Sequence, residues 1–103
     1  MKITHWYANE TLTIAISDEI DNHCARDCIE YMQTAVALYQ SGNIVLDLSK
    51  LTFTDSSGLA VVMNLYRLAG REGRNLRVRG TPGQAMRVFR AAALEKIIKF
   101  TET

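Results

Sequence analysis

The sequence Asp55-Ser56-Ser57-Gly58 lies between two apolar segments with different residue patterns. The preceding segment, residues 43–48, is short and rich in aliphatic side chains, which predicts a buried strand. The following segment, residues 59–69, is longer and consists mainly of residues that favour a helix. Because Asp and Ser side chains can accept hydrogen bonds from the free N–H groups at a helix start, the tetrapeptide is predicted to form a strand-to-helix turn.

A turn of this kind places its hydroxyl groups beside an exposed helix N-terminus. The unpaired N–H groups there tolerate an anion, so a phosphoryl group on Ser56 would add roughly −1.5 to −2 charges without melting the helix. The neighbouring carboxylate of Asp55 would partly oppose that charge. Two interpretations of the residue pattern remain open: a regulatory phosphorylation site, or a group of residues that only caps the helix.

The composition indicates one domain. With 103 residues, of which 48% are hydrophobic and 22% charged, the chain can build one core and is too short for two. We therefore predict a single domain over residues 1–103. The longest apolar run, Leu59–Met63, is far shorter than a membrane span, and residues 1–5 lack the apolar core of a signal peptide. No membrane association and a cytoplasmic location are expected.

The sequence offers no arrangement typical of an enzyme active site or a metal centre. His5 and His23 are the only histidines, and neither a Gly-x-Ser-x-Gly elbow nor a phosphate-binding Gly-x-x-x-x-Gly-Lys loop is present. Cys24 and Cys28 lie four residues apart on a predicted helix, without the Cys-x-x-Cys spacing of a metal site. We therefore expect a protein without enzymatic activity, cofactor or metal, in which both cysteines are reduced packing residues.

The rest of the chain predicts alternating strands and helices. Predicted strands are residues 3–7, 12–17, 43–48 and 76–80, and residues 97–100 form a short terminal strand or a docked tail. Predicted helices are residues 23–40, 57–72 and a third segment with Thr81 as its cap and Pro82 as its first residue. Residues 49–54 are predicted to be a connection anchored by Leu51 and Phe53. This order, β-β-α-β-α-β-α, indicates an α/β fold with a mostly parallel sheet and an antiparallel opening hairpin.

Charge is distributed unevenly along the chain. Residues 1–66 carry three basic and eight acidic side chains, whereas residues 67–103 carry nine basic and three acidic ones. An alternative function is therefore the binding of nucleic acid or another anionic ligand by the basic C-terminal third. The arginines concerned are Arg67, Arg71, Arg74, Arg77, Arg79, Arg87 and Arg90. Because these residues are spread over several predicted elements, a solvated face is favoured and no nucleic-acid partner is expected.

The residues around the serine turn closely resemble the signature of the STAS domain in bacterial anti-sigma factor antagonists. The matching residues are Ile44-Val45-Leu46-Asp47-Leu48-Ser49, Leu51, Phe53 and Asp55-Ser56-Ser57-Gly58-Leu59-Ala60-Val61. Upstream, Glu19-Ile20-Asp21 is similar to the acidic Glu-Leu-Asp turn of the family. Downstream, the residues similar to its C-terminal pattern are Thr81-Pro82, Phe89, Leu94 and Lys96-Ile97-Ile98-Lys99-Phe100. The resemblance covers nearly the whole chain and implies a STAS-type single domain.

The resemblance also implies a partner switch controlled by phosphorylation. Ser56 matches the serine that a partner serine kinase, often the anti-sigma factor itself, phosphorylates in this family, and a metal-dependent serine phosphatase reverses the step. The unmodified form would bind the kinase, and the phosphorylated form would release it. Asp21, Asp55, Ser57 and Gly58 would form the surroundings of the switch.

Several features of this switch stay open at the level of sequence. Some stand-alone STAS proteins of this kind control biofilm formation or secretion through the same kinase and phosphatase, rather than transcription through a sigma factor. Whether Ser57 can also accept phosphate, and whether the protein is an oligomer, are not decided by the residue pattern.

The sequence departs from the family pattern at positions outside the switch. Asp18 stands where the family commonly has glycine before its acidic turn, and Ala93 stands where it has glycine before the leucine matched by Leu94. Compared with the family pattern, one additional residue separates Pro82 from Phe89. The final helix that is usual in the family is expected to be short or missing in this chain. These departures bear on the identity of the partner and leave the phosphorylation motif intact.

Overall fold

The computed structural model describes all residues of the chain, 1–103. The helices and strands follow in the order β1 (Lys2–Ala8), β2 (Thr11–Ile20), α1 (Ala25–Leu38), β3 (Asn43–Asp47), β4 (Leu51–Thr54), α2 (Ser56–Arg71), β5 (Leu76–Arg79), α3 (Gly83–Ala91) and β6 (Lys99–Thr101). A single 3₁₀ turn, Leu94–Lys96, connects α3 to β6. None of the helices combines the length and the apolar character needed to cross a lipid bilayer.

The strands form one mixed sheet in the order β1-β2-β3-β5-β6, with β4 paired to the far end of β2. The β1–β2 hairpin is antiparallel, and the other four pairings are parallel. Ile14, Leu46, Val78 and Phe100 are successive register partners across four strands. The predicted α/β fold, with a mostly parallel sheet and an antiparallel opening hairpin, is therefore confirmed.

The core lies between one face of this sheet and the three helices. Twenty-one buried hydrophobic residues form a single cluster that includes Leu12 and Ile14 of β2. The buried hydrophobic residues of all three helices belong to the same cluster, so the helices cover one face of the sheet. Val45 is also buried but is not part of the cluster, because alternation along β3 points it to the opposite face. We call this second face, which no helix covers, the open face.

The segment predicted to connect β3 to the serine turn is in fact a strand. β2 extends to Ile20, three residues beyond the prediction, and pairs there with β4 in parallel. A register irregularity between Asp18 and Glu19 bends β2 toward this second partner. Leu51 is buried as predicted, but Phe53 is 44% exposed, so its prediction as an anchor was wrong. In a strand of four residues, the alternation of apolar and polar side chains is too short to show from sequence which face is buried.

Both departures from the family's glycines fall where the backbone favours glycine. Asp18 has a φ of 69° and Ala93 a φ of 58°, in the left-handed region that a Cβ atom disfavours. A residue in this conformation typically costs of order 1 kcal/mol relative to glycine. The backbone at the irregularity of β2 and before the 3₁₀ turn thus keeps the conformation that glycine would suit, although the side chains differ.

The start of α3 also differs from the prediction. The helix begins at Gly83, and Pro82 is its N-cap in an extended conformation rather than its first residue. The Pro82 carbonyl accepts the first hydrogen bond of the helix from the Met86 N–H at 2.9 Å. The Thr81 hydroxyl makes no capping bond and is buried without a partner, so its predicted role was wrong. The fixed φ of proline suits both positions, and sequence alone does not separate them.

Arg74 is a structural residue of the fold. Its side chain is only 5% exposed, and its guanidinium donates hydrogen bonds to the carbonyls of Gly42 at 2.8 Å, Ser41 at 3.1 Å and Val36 at 3.4 Å. A further bond reaches the Glu72 carboxylate at 3.1 Å. The segment after α2 is thereby joined to the end of α1, and Arg74 is unavailable to an external anion.

Asp47 and Arg79 form an ion pair on the open face. Two guanidinium nitrogens of Arg79 lie 3.0 and 3.2 Å from Oδ2 of Asp47, and the Ser49 N–H donates to its Oδ1 at 2.9 Å. Burial by itself raises the pKa of Asp47, but the hydrogen bonds from Ser49 and the charge and hydrogen bonds of Arg79 outweigh burial. The pKa of Asp47 is therefore lowered in the folded protein.

Asp47→Asn is expected to reduce the free energy of unfolding near pH 7 by about 1 kcal/mol. A carboxyl group whose pKa is lower in the folded than in the unfolded protein stabilises the fold. Its contribution is complete at pH values above the unfolded pKa, near 3.9, and is lost as the pH falls through the folded pKa. The difference between wild type and variant should therefore shrink below about pH 4. Urea unfolding curves of both proteins across this range measure it, and a difference that stays constant with pH would contradict the assignment.

Candidate functional site

The serine turn is the start of α2, as predicted. Asp55 is the N-cap residue, with an extended backbone, and its Oδ1 accepts a hydrogen bond from the Ser57 N–H at 2.7 Å. The Asp55 carbonyl accepts from the Gly58 N–H at 3.1 Å. The helix begins at Ser56, one residue before the predicted start. Asp55 therefore caps the helix, and neither serine side chain takes part in the capping.

Ser56 is the first residue of the helix and is exposed to solvent. Its hydroxyl makes no hydrogen bond within the protein, whereas Ser57 is only partly exposed. A hydroxyl in this position can enter the active site of another protein without any local unfolding. Ser56 is therefore the more accessible of the two serines.

Gly58 allows the helix to start directly against the end of β4. The Thr54 side chain is fully buried, and its hydroxyl lies 3.2 Å from the Ile20 carbonyl and 3.0 Å from the Asp55 carbonyl. A Cβ atom on Gly58 would lie 2.0 Å from the Thr54 hydroxyl oxygen. The glycine is thus required by close packing, which fixes the direction in which α2 leaves the sheet.

Gln84 holds the other edge of β4 and was not predicted from the sequence. Its side-chain amide donates to the Thr54 carbonyl at 2.8 Å, and its carbonyl accepts from the Thr54 N–H at 3.0 Å. The amide therefore replaces the neighbouring strand that β4 lacks on this side. No sequence signal indicates this pairing, because the two residues are thirty positions apart and meet only when α3 packs beside β4.

Asp21 lies beside Asp55 at the carboxyl ends of two paired strands. Ile20 and Thr54 are register partners, and each aspartate directly follows one of them. The Asp21 Oδ1 accepts hydrogen bonds from the N–H groups of His23 at 2.9 Å and Cys24 at 3.2 Å. Desolvation raises the pKa of Asp21, but the hydrogen bonds together lower it by a larger amount. The net shift of the pKa is therefore downward. Asp21 is therefore a carboxylate that also initiates the turn into α1, which begins at Ala25, two residues later than predicted.

Together these residues define one surface, which we call the switch surface: Asp21, Phe53, Asp55 and Ser56. It combines an exposed apolar side chain, two carboxylates and a free hydroxyl at a helix N-terminus. The exposed residues Asp18 and Glu19 extend its acidic character along β2, where Glu19 is the register partner of Phe53. Of the residues predicted for the switch, Gly58 lies beneath the surface and Ser57 at its margin.

The two cysteines, both predicted to be packing residues, lie in different environments. Cys28 is fully buried, and burial together with the nearby Cys24 raises its pKa to about 12. Cys24 is partly exposed and lies within weak hydrogen-bond distance of the Glu19 and Asp21 carbonyls. Both are free thiols, and Cys28 is a packing residue as expected.

The chain belongs to the STAS domain family. A family model described as the MlaB STAS domain matches residues 7–99. The anti-sigma F factor antagonist of Paenibacillus polymyxa is 32% identical over 87 residues, which cover 84% of this chain and 74% of that protein. The intermembrane phospholipid transport system binding protein MlaB of Escherichia coli K12 is 32% identical over 68 residues, which cover 66% of each chain. The predicted membership of the STAS anti-sigma factor antagonist family is confirmed.

Solved structures share this fold. An anti-sigma factor antagonist from Mycobacterium paratuberculosis superposes with a TM-score of 0.88 at 22% identity, covering 99% of this chain and 86% of that one. The Bacillus cell fate determinant SpoIIAA in its phosphorylated form superposes with a TM-score of 0.74 at 20% identity, covering 96% of this chain and 90% of that one. At these identities the likeness extends to the fold. The general role that the family supports is regulatory rather than enzymatic.

Proposed function

We propose that the protein is a partner-switching regulator controlled by phosphorylation of Ser56. In its unmodified form it binds a serine kinase of the anti-sigma factor type, and phosphorylation of Ser56 by that kinase releases it. The observation that carries this proposal is the exposed, unbonded Ser56 hydroxyl on the first residue of α2, beside a separate residue that caps the helix. Because Asp55 already supplies the cap, Ser56 is free for chemistry.

The physical effect of the phosphate would be local. A phosphoryl group adds roughly −1.5 to −2 charges, and the partial positive charge of the helix N-terminus tolerates them, so the fold persists. The same charge next to Asp21 and Asp55 makes the switch surface strongly anionic. A partner that had buried Phe53 and the neutral serine would then face an uncompensated charge, which disfavours the complex.

The cycle requires two other proteins. The kinase transfers the terminal phosphoryl group of ATP to the Ser56 oxygen, releasing ADP, and a metal-dependent serine phosphatase returns the free hydroxyl by hydrolysis with release of inorganic phosphate. We place this cycle in the cytoplasm, where ATP is present. The output of the released or sequestered kinase is a sigma factor or another pathway such as biofilm formation or secretion.

Phosphorylation is expected on Ser56 alone. Incubation of the purified protein with ATP and lysate of its host should add one phosphoryl group, mapped to Ser56 by phosphopeptide mass spectrometry. The group should be absent from Ser56→Ala and present on Ser57→Ala, the matched control one residue away. The kinase can be recovered from the same lysate by affinity capture on Ser56→Ala, which stays in the binding state.

Two outcomes would contradict this expectation. Phosphorylation of Ser57 with Ser56 unmodified would show that the proposal had chosen the wrong hydroxyl. No modification of wild type, in a lysate that phosphorylates a known antagonist added as a control, would make the protein a constitutive binding module.

A second candidate function is a binding subunit of a phospholipid transport system. The observation that favours it is the family model over residues 7–99, described for MlaB, together with the 32% identity to MlaB of Escherichia coli. The affinity capture distinguishes the two functions. Recovery of a serine kinase supports the switch, whereas recovery of transport components, equally by wild type and Ser56→Glu, supports the transport role.

The nucleic-acid alternative receives little support from the arrangement of the arginines. Arg74 is buried, Arg79 is paired with Asp47, and Arg90 lies 3.1 Å from the Glu95 carboxylate. Arg77 and Arg79 lie on the open face, opposite the helices that carry Arg67, Arg71 and Arg87. Because a nucleic acid needs a continuous basic surface, we propose that it is not a partner.

A further inference from the structure

A cavity of about 610 Å³ lies at the end of the sheet opposite the switch surface. It is formed at the amino ends of β3, β5 and β6 and by the second half of α2. Its eleven lining residues are Asn43, Ile44, Val45, Tyr66, Ala69, Arg74, Asn75, Leu76, Arg77, Ile97 and Lys99. Three of them are cationic and none is acidic; Arg74 is paired with Glu72, so the unpaired positive charge of the lining belongs to Arg77 and Lys99.

Arg77 lacks a partner in this cavity. Its Nε atom is buried and has no hydrogen-bond acceptor. A buried donor of this kind normally has a partner, and leaving it without one is destabilising. Because Arg74 is fully engaged by backbone carbonyls and Glu72, the free donors of the cavity belong mainly to Arg77 and Lys99.

Arg77 and Lys99 are also register partners on adjacent strands. Like charges directly opposite one another in a sheet repel, and neither residue forms a salt bridge. The next cross-strand row on the same face provides an internal comparison. There Arg79 is opposite Asp47 and is paired with it, whereas Arg77 is opposite the apolar Val45. An anion between Arg77 and Lys99 would remove the repulsion and satisfy the buried donor.

We propose that this cavity binds a small molecule carrying a phosphomonoester group. Such a group carries about two negative charges near pH 7, which match the two free cations, and its oxygens suit the forked donors of a guanidinium. The side-chain amide of Asn75 and the hydroxyl of Tyr66 supply further hydrogen-bonding groups. Leu76 and the exposed Ile97 provide apolar surface for an organic moiety, and the volume is in the range of small-molecule sites.

The site is independent of the phosphorylation of Ser56, and its test does not involve the kinase. ¹⁵N-labelled protein is titrated with inorganic phosphate, with phenyl phosphate and with vesicles containing phosphatidic acid, a lipid whose headgroup is a phosphomonoester. We expect amide shifts concentrated at residues 43–45, 74–77 and 97–99, with phenyl phosphate binding at least about tenfold more tightly than inorganic phosphate because it also contacts the apolar surface. Arg77→Gln and Lys99→Gln should each weaken the binding of phenyl phosphate at least about tenfold.

The matched control is Arg67→Gln, which removes the same charge from an exposed position of α2 outside the cavity and should leave binding unchanged. Thermal unfolding of each variant without ligand verifies its fold, and the exposed Lys99 keeps the test valid if Arg77→Gln is destabilised. Equal weakening by Arg67→Gln, or shifts spread over all basic segments, would overturn the proposal. It would equally be overturned if vesicles bound through Arg77 while the soluble phosphates did not, since the source of the phosphate would then be a lipid surface.

Discussion

Ser56→Glu is expected to weaken binding to the partner kinase at least about 100-fold while leaving the fold intact. The variant places a permanent negative charge beside Asp55 and Asp21, at the point where the proposed complex buries a neutral hydroxyl. An unpaired charge at an interface costs several kcal/mol, and 100-fold corresponds to about 2.7 kcal/mol. The partial positive charge of the helix N-terminus should favour the glutamate, so the melting temperature should change little. Titration calorimetry with the kinase recovered from the host measures the affinity.

The matched control for added charge is Gln40→Glu, which changes one amide to a carboxylate at an exposed position beyond the end of α1. It should bind the kinase as wild type does. Equal affinities of Ser56→Ala and Ser56→Glu for the kinase would contradict the proposed switch, although the protein could still bind the kinase. If both Glu variants lost binding equally, the effect would come from net charge and not from the switch surface.

Gly58→Ala is expected to reduce the free energy of unfolding by about 3 kcal/mol. The new Cβ atom would lie 2.0 Å from the hydroxyl oxygen of Thr54, which is fully buried and bonded to backbone carbonyls of β2 and the turn. Relief of this clash requires α2 to move away from β4 or the threonine to break its hydrogen bonds. A loss of this size lowers the melting temperature of a domain of this length by roughly 12–24 °C, which thermal unfolding followed by circular dichroism measures.

Gly70→Ala is the matched control in the same helix. Apart from the backbone of its own helix, no atom lies within 4 Å of the position where its Cβ would be, so the helix preference of alanine should raise stability by about 0.5–1 kcal/mol. The variant Thr54→Ala with Gly58→Ala should recover part of the loss, because it removes the hydroxyl that the new methyl group meets. If Gly58→Ala proved as stable as Gly70→Ala, the start of α2 would not be fixed by this contact.

The order of elements could be predicted because it depends on patterns that are local in sequence. Alternating aliphatic residues fixed β2, and the spacing of Cys28, Met32, Ala35 and Val36 defined the buried face of α1. The capping function of Asp55 was predictable for the same reason, since it depends on hydrogen bonds from the N–H groups two and three residues further along the chain. Errors arose where local patterns were short or ambiguous, at β4 and at Thr81-Pro82.

The residues that hold the candidate site in place were not predictable in this way. Gln84 acts only because α3 packs beside the edge of β4, and Arg74 is buried only because the end of α1 lies against the segment after α2. The charge of Arg74 suggested an external anion, but its surroundings made it a structural residue. Ser56 as the phosphoacceptor stays a prediction of the family resemblance, supported by its exposure.

The sequence by itself determined the α/β class, the family and the position of the serine turn, because these depend on periodicity and on a contiguous motif. Only the tertiary structure decided which polar residues share a surface. It placed Asp21 beside Asp55, exposed Phe53, buried Arg74 and left Arg77 opposite Lys99 without a carboxylate. The physical reason is that burial, pairing and charge balance are set by contacts between strands and helices distant in the chain, which no local pattern encodes.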